Sequence, residues 1–196
     1  YWGEVLDVLQ EIIPVYDKVN SYISLGKDSE HRNRAISGRI QDGDKILDAG
    51  SGFGNMSKTA LDITNGKVEI VLYDPLLPMI KNSNRLFKKK PEATCGVFEH
   101  APFRNQQFDI VLSGYSLRDA ISLKIAISEI HRVLKNDGKW IIVDLGKPDK
   151  SIVRFGVSFY LKLILPIVAY MAGGKLGLKF ATLYGTYKLW PQNKQL

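Results

Sequence analysis

Three glycines stand at alternate positions, Gly50, Gly52 and Gly54, just after the strand expected over 45–48 and directly before a helical pattern. Alternating glycines let the backbone turn tightly and approach a ligand closely, just ahead of a helix amino terminus. The flanking pattern agrees with such a strand-loop-helix unit. Strands are expected over 45–48, 68–73, 94–98, 108–112 and 139–145, with helices over about 55–63, 78–87 and 122–134 and a turn at 136–138. This alternation implies an α/β fold with a mainly parallel sheet and helices on both faces. Ligands in such sheets gather at the carboxyl ends of the strands, where the strand order reverses. Upstream, Val5, Val8, Leu9 and Ile12 recur at helical spacing, Pro14 stops the run, and Ser29 is placed to cap a second helix reaching Ile40.

Charge matters here for where it lies. The 196 residues carry a net +7, yet eight of the 27 basic residues and one of the 20 acidic ones lie from Gly146 onward. The preceding part is therefore neutral and offers no basic stripe for nucleic acid. The charged last quarter is also apolar: between Phe155 and Met171 only Lys162 is charged, Pro166 interrupts the run and Gly173-Gly174 ends it. It falls short of the roughly 20 residues of a membrane span and reads as a basic helical lid or membrane-surface element. The single Cys95 fits a reducing compartment and is expected as a buried small apolar residue. His31, His100 and His131 are too scattered for a metal site, so none is expected.

The loop reads Asp48-Ala-Gly50-Ser51-Gly52-Phe53-Gly54-Asn55, so the third glycine comes one position earlier than in a dinucleotide-binding loop. Asp48 beside it would repel a pyrophosphate, whereas it suits the ammonium group of S-adenosylmethionine (SAM), which has no phosphate. Twenty residues past Gly54, Asp74 ends the second strand, where an acid accepts hydrogen bonds from ribose hydroxyls.

Taken with other segments, these residues resemble the ubiquinone/menaquinone biosynthesis C-methyltransferases. Tyr16-Asp-Lys-Val-Asn20 followed by Ser24-Leu-Gly26 is similar to that family's Y-D-x-x-N and S-L-G. Ala101-Pro-Phe103 through Phe108-Asp109 is similar to its L-P-F-x-D-x-S-F-D, Leu117-Arg118-Asp119 to its L-R-N, and Arg132 through Gly138 to its R-V-L-K-P-G-G. The resemblance covers nearly the whole chain and implies a Rossmann-like class I methyltransferase. In that arrangement 1–40 forms a helical cap, 41–145 the SAM-binding core and 146–196 a helical lid. It implies a SAM site that adds Pro75, Met79, Val97, Phe98, Glu99, Ser113 and Gly114 to the loop and Asp74, with S-adenosylhomocysteine as product. The sequence departs from the family at Val97-Phe98, where an acid or amide precedes alanine, at Asp119 in place of asparagine, and at His31 in place of tryptophan. The family's last helix and β-hairpin are expected to be absent from this chain.

The implied reaction is C-methylation of a hydrophobic quinol, by an enzyme that is cytoplasmic or peripheral to the inner face of the membrane. A ring carbon becomes a strong nucleophile once a ring hydroxyl loses its proton. With a phenol-like pKa near 10, that ionisation costs roughly 4 kcal/mol at pH 7. Arg118 stays charged and so stabilises the phenolate, while Asp119, Tyr16 or a water between them takes the proton. Two other functions share these features: methylation of another small hydrophobic acceptor, and a SAM-binding but non-catalytic subunit of a quinone-synthesis assembly.

Overall fold

The computed structural model describes residues 2–195. In chain order its elements are α1 (Trp2–Ile12), α2 (Tyr16–Ile23), α3 (Asp28–Ile36), β1 (Lys45–Ala49), α4 (Asn55–Ile63), β2 (Glu69–Asp74), α5 (Leu77–Asn82), β3 (Glu92–Cys95), β4 (Phe108–Gly114), α6 (Leu123–Val133), β5 (Leu134–Val143), α7 (Ser151–Phe159), α8 (Leu165–Gly177) and α9 (Thr182–Leu189). Contacts divide the chain into Ser29–Asp144 on one hand and Tyr1–Asp28 with Leu145–Leu196 on the other.

The first of these units is a five-stranded sheet of order β3-β2-β1-β4-β5. Every neighbouring pair is parallel, as the alternating pattern requires. β1 lies at the centre, hydrogen-bonded on both edges, and Ile46, Leu47, Asp48 and Ala49 are fully buried. The chain steps outward from β1 to β2 and β3, then returns to the other side of β1 for β4 and β5. Right-handed crossovers therefore put α6 on the opposite face from α4 and α5. The core between sheet and helices joins Ile36, Ile46, Met56, Ala60, Leu72, Ile110, Leu112 and Ile141. Each large aliphatic side chain there contributes roughly 1.5–3 kcal/mol through burial. The strand order reverses between β1 and β4, so the crevice for a ligand opens at the carboxyl end of β1.

The second unit is wholly helical among the described residues. Ile12, Val19, Leu161, Leu165, Ala169, Ala172, Phe180 and Tyr187 form its core. Gly173 lets α8 close on α2, since a Cβ there would come within 2.8 Å of Val19. α7 passes through a π turn (Tyr160–Ile164) into α8, and that wider turn, in which Leu165 N–H donates to Tyr160 O, accommodates Pro166, which has no N–H to donate. Gly174 then leaves helical geometry at φ 59° and kinks the run.

Several expectations are corrected. The turn expected at 136–138 is absorbed into β5: Phe108 pairs with Leu134 while Ile110 pairs with Lys139, so the extra residues bulge out of a continuing strand. β3 covers 92–95 rather than 94–98, because Phe98–His100 forms a 3-10 turn instead. The helix expected over 78–87 gives way after Asn82 to a 3-10 turn, Ser83–Arg85. The helix expected to reach Ile40 ends at Ile36, ahead of Gly38 at φ 72°. Cys95 is exposed rather than buried, since β3 is an edge strand. The stretch Ser151–Leu189 is long and apolar enough to cross a membrane by length and composition, contrary to the shorter run read from sequence. Among the described residues no further strand extends the sheet past β5.

Candidate functional site

The loop after β1 is fastened to β2 by its own backbone. The N–H groups of Gly50 and Ser51 both donate to Tyr73 O, at 2.8 and 3.1 Å, and Gly54 N–H closes a turn onto Ser51 O at 2.7 Å. Gly50 and Gly54 adopt positive φ, 71° and 88°, a region that side chains other than glycine enter at a cost. Both are also crowded: a Cβ on Gly50 would lie 2.4 Å from Ser116, and one on Gly54 would lie 2.7 Å from Phe87. Asn55 then opens α4, so the loop presents the amino end of a helix.

Two buried carboxylates flank this loop. Asp48 is fully buried, and its Oδ2 accepts from the N–H and hydroxyl of Ser57 at 3.0 and 2.6 Å. Its Oδ1 is buried without a hydrogen-bond partner, as is Ser51 Oγ. Desolvation pushes the Asp48 carboxyl up to about 6, with hydrogen bonds from Ser57 opposing and the Asp74 charge adding to the rise. Asp74 accepts from Gly52 N–H at 2.7 Å and Leu76 N–H at 2.8 Å, and burial pushes it to about 6 as well. Both groups are therefore short of positive charge, and a ligand cation near Asp48 would relieve this. The negative charge of Asp48 suits the SAM ammonium group, although its orphaned Oδ1 is itself enclosed by protein. Asp74 holds the loop through Gly52, and its remaining lone pairs could accept from ribose hydroxyls.

The remaining residues expected around the cofactor are distributed as follows. Phe53, Met79 and Phe98 are buried, Met79 inside α5, and Pro75 is half-buried. Phe98 approaches the Gly50 Cα side, 3.1 Å from where a Cβ would stand. The backbone oxygen of Val97 accepts from the Tyr73 hydroxyl at 2.6 Å, and that of His100 accepts from the same hydroxyl at 3.0 Å. Glu99 is buried, its Oε1 accepting from Ser122 N–H at 2.8 Å while Oε2 has no hydrogen-bond partner. Ser113 accepts from Trp140 Nε1 at 3.1 Å, and Gly114 leaves room for Met56.

Beyond β4, the turn Leu117–Asp119 carries Arg118 and Asp119 to the carboxyl edge of the sheet. A residue that sequence reading missed joins them: Asp144, immediately after β5, accepts from Arg118 Nη1 at 2.5 Å. Asp119 Oδ1 lies 3.9 Å from Arg118 Nε. Burial raises the Asp119 carboxyl, Arg118 lowers it and Asp144 raises it. Tyr16 belongs to the helical unit, where its ring packs 6.1 Å from that of Phe180. His31 and Tyr115 meet across the sheet unit, with Nδ1 and the hydroxyl 3.2 Å apart. Among the described residues no cluster of His, Cys, Asp and Glu is arranged to hold a metal ion.

The model of the ubiE/COQ5 methyltransferase family matches residues 3–196. The chain belongs to this family. A demethylmenaquinone methyltransferase of Symbiobacterium thermophilum is 30% identical over 174 residues, covering 84% of this chain and 68% of that protein. A ubiquinone/menaquinone biosynthesis C-methyltransferase (UbiE) of Geobacter sulfurreducens is 27% identical over 195 residues, 96% of this chain and 73% of its own length. Among solved structures, the YcgJ protein of Bacillus subtilis superposes with a TM-score of 0.57 at 22% identity, over 68% of this chain and 59% of that one. A SAM-dependent methyltransferase from Aquifex aeolicus gives 0.53 at 20% identity, over 72% and 78%. These likenesses establish the class I methyltransferase fold and, with the family, SAM as its cofactor.

Within the ubiE/COQ5 family frame, the departure at Val97-Phe98 has a structural counterpart. The chain offers a backbone turn strapped by Tyr73 where relatives are expected to offer a side-chain acceptor.

Proposed function

We propose that this chain methylates a ring carbon of a lipoquinone precursor in its quinol form. The observation that carries this reading is the meeting, on one edge of the sheet, of the Asp48–Asp74 loop with the buried Arg118–Asp119–Asp144 cluster one strand away. Bound SAM supplies an electrophilic methyl group on a sulfonium. What the chain must add is orientation and the removal of one hydroxyl proton from the acceptor. Arg118 stabilises the phenolate, and Asp119, whose carboxyl burial raises above its ordinary value, receives the proton. Tyr16→Phe tests the rival acceptor: an altered pH profile would assign the proton to that phenol instead. A quinol panel with and without the demethylated ring position, incubated with SAM and read by product mass, tests the reading. A mass gain of one methyl on the quinols is expected. Transfer only to other hydrophobic phenols would reassign the acceptor, and SAM binding without any product would favour a non-catalytic subunit.

A prenylated acceptor stays in lipid, which gives the helical unit a task. Ile152, Phe155, Phe159, Leu163, Ile167 and Met171 recur at helical spacing along α7, the π turn and α8, and all are exposed, Phe155 at 70% and Met171 at 76%. The opposite side of the same helices buries Leu161, Leu165 and Ala169 in the unit's own core. A helical run with 17% of its most apolar window buried, and that part anchored in the unit's own core, fits a membrane interface better than water. Fewer cations are available than the sequence suggests. Lys147 donates to Lys188 O and Trp190 O, Arg154 to Pro148 O, Asp149 O and Gln192, and Lys179 pairs with Glu11. Lys150, Lys162 and Lys175 are exposed, and could add about 1 kcal/mol each near an anionic surface. The proposed location is thus the cytoplasm, peripheral to the inner face of the membrane. Co-sedimentation with anionic vesicles that is lost at high salt is expected; retention through alkaline extraction would instead mean a span.

A further inference from the structure

The glycine loop satisfies its own donors. The N–H groups of Gly50 and Ser51 go to Tyr73 O, that of Gly52 to Asp74, that of Gly54 to Ser51 O, and that of Ser57, in the first turn of α4, to Asp48. The amino-acid end of SAM is a zwitterion, and the acids beside the loop match only its ammonium half. Asp48 and Asp74 repel its carboxylate, so an anion brought there needs a cation within reach.

We infer that Arg32 is that cation, its guanidinium holding the carboxylate of the SAM amino-acid end. The inference rests on the SAM site and is independent of the acceptor. Arg32 and the strand ends belong to one unit, Ser29–Asp144. His31 Nδ1 lies 3.2 Å from the hydroxyl of Tyr115, the residue that follows β4, so this turn of α3 stands at the carboxyl ends of the strands. Further along, Ile36 and Ile40 join the core that holds Ile46, and Arg39 O accepts from Lys139 Nζ at 3.3 Å, so the chain runs on toward the opposite edge of the sheet. Arg32, Ala35 and Ile36 form the covered stripe of α3, whereas His31, Asn33 and Arg34 are exposed. Since Ala35 and Ile36 pack into the sheet's core, the Arg32 side faces the sheet. Its charge also reaches the loop: burial raises the Asp48 carboxyl, and Arg32 is among the groups that lower it. A guanidinium carries five N–H donors in a planar fork, so acceptors it already holds within the protein leave donors for a second carboxylate.

Calorimetry on the full chain at about pH 8, well above the Asp48 value of about 6, tests this with SAM, decarboxylated SAM and methylthioadenosine, which lacks the whole amino-acid end. Arg32→Gln should weaken SAM about tenfold or more, the scale of one charge-assisted pair. Decarboxylated SAM should bind the variant at least as well as it binds the unaltered protein, and methylthioadenosine should change less than about twofold. Arg32→Lys keeps the charge without the fork and should retain part of the SAM affinity. Unchanged SAM affinity in Arg32→Gln overturns the inference. So does an equal loss for all three ligands, which would make Arg32 a structural support of the loop, and so does binding of methylthioadenosine but not SAM by the unaltered protein. If the ligand pattern holds while no quinol is methylated, the acceptor reading fails and the role of Arg32 stands.

Discussion

The sheet unit and the helical unit spend the same apolar vocabulary differently. In the sheet unit the apolar side chains of β1 and its neighbours are buried on both faces of the sheet, and the acidic residues buried with them, Asp48, Asp74 and Glu99, are functional candidates. In the helical unit the core is thinner and large apolar side chains such as Ile152, Phe155 and Met171 remain outside. Buried charge in one region and exposed hydrocarbon in the other are both costly in water. Each is the mark of a missing partner, a small cation in the first case and an apolar medium in the second.

The strongest way to break this contrast is Arg118→Ala. Turnover on a quinol should fall about 100-fold or more, with SAM affinity in calorimetry nearly unchanged; an equal loss of both would place Arg118 in cofactor binding. Next comes Asp74→Ala, which removes hydrogen bonds worth about 1.5–3 kcal/mol each to charged acceptors and also frees Gly52, so SAM affinity should drop steeply. Asp74→Asn, which can still accept from Gly52, should lose less, and an equal loss in both would mean that charge alone matters.

A pH series sharpens the same point. With its carboxyl near 6, Asp48 is mostly protonated at pH 5 and mostly ionised at pH 7, so SAM binding should tighten about tenfold over that interval and level off above it. The sign reverses for the ligand-free protein. A carboxyl raised by folding penalises the folded state once it ionises, so this contribution is absent below pH 4 and stability declines as pH rises through 6. Chemical denaturation at pH 4.5 and 7 without SAM checks this component against Asp48→Asn, which should flatten it.

The smallest effect belongs to the helical unit. Phe155→Ser should weaken vesicle binding several-fold, each large side chain being worth up to roughly 1.5–3 kcal/mol on full burial, while leaving SAM affinity and thermal midpoint near wild type. A lowered midpoint would reveal Phe155 as core instead of surface.

What could be read from the sequence was local. The strand, loop and helix from Lys45 to Ile63 announce themselves within one window, because glycine spacing, apolar run and helix pattern are all short-range. Asp144 could not be found that way: its meaning comes from Arg118, 26 residues upstream, and only the pairing of β4 with β5 brings them together. Cys95 misled for a related reason, since edge position in a sheet depends on strand order. The Asn136-Asp137-Gly138 signal was genuine turn chemistry, overridden when β4 held the chain on both sides of it. α2 stayed hidden although Tyr16, Val19 and Ile23 recur at helical spacing, because eight residues between Pro14 and Gly26 make a short window.

The unpartnered oxygen of Asp48 has a consequence for the life of the protein. A fold that buries a carboxylate for the sake of a ligand is weakest when the ligand is scarce, and occupancy at a hundred times Kd would add about 2.7 kcal/mol to its stability. The unfolded fraction open to proteolysis would then follow the supply of methyl donor. A cell running short of that donor would lose the polypeptide along with its activity.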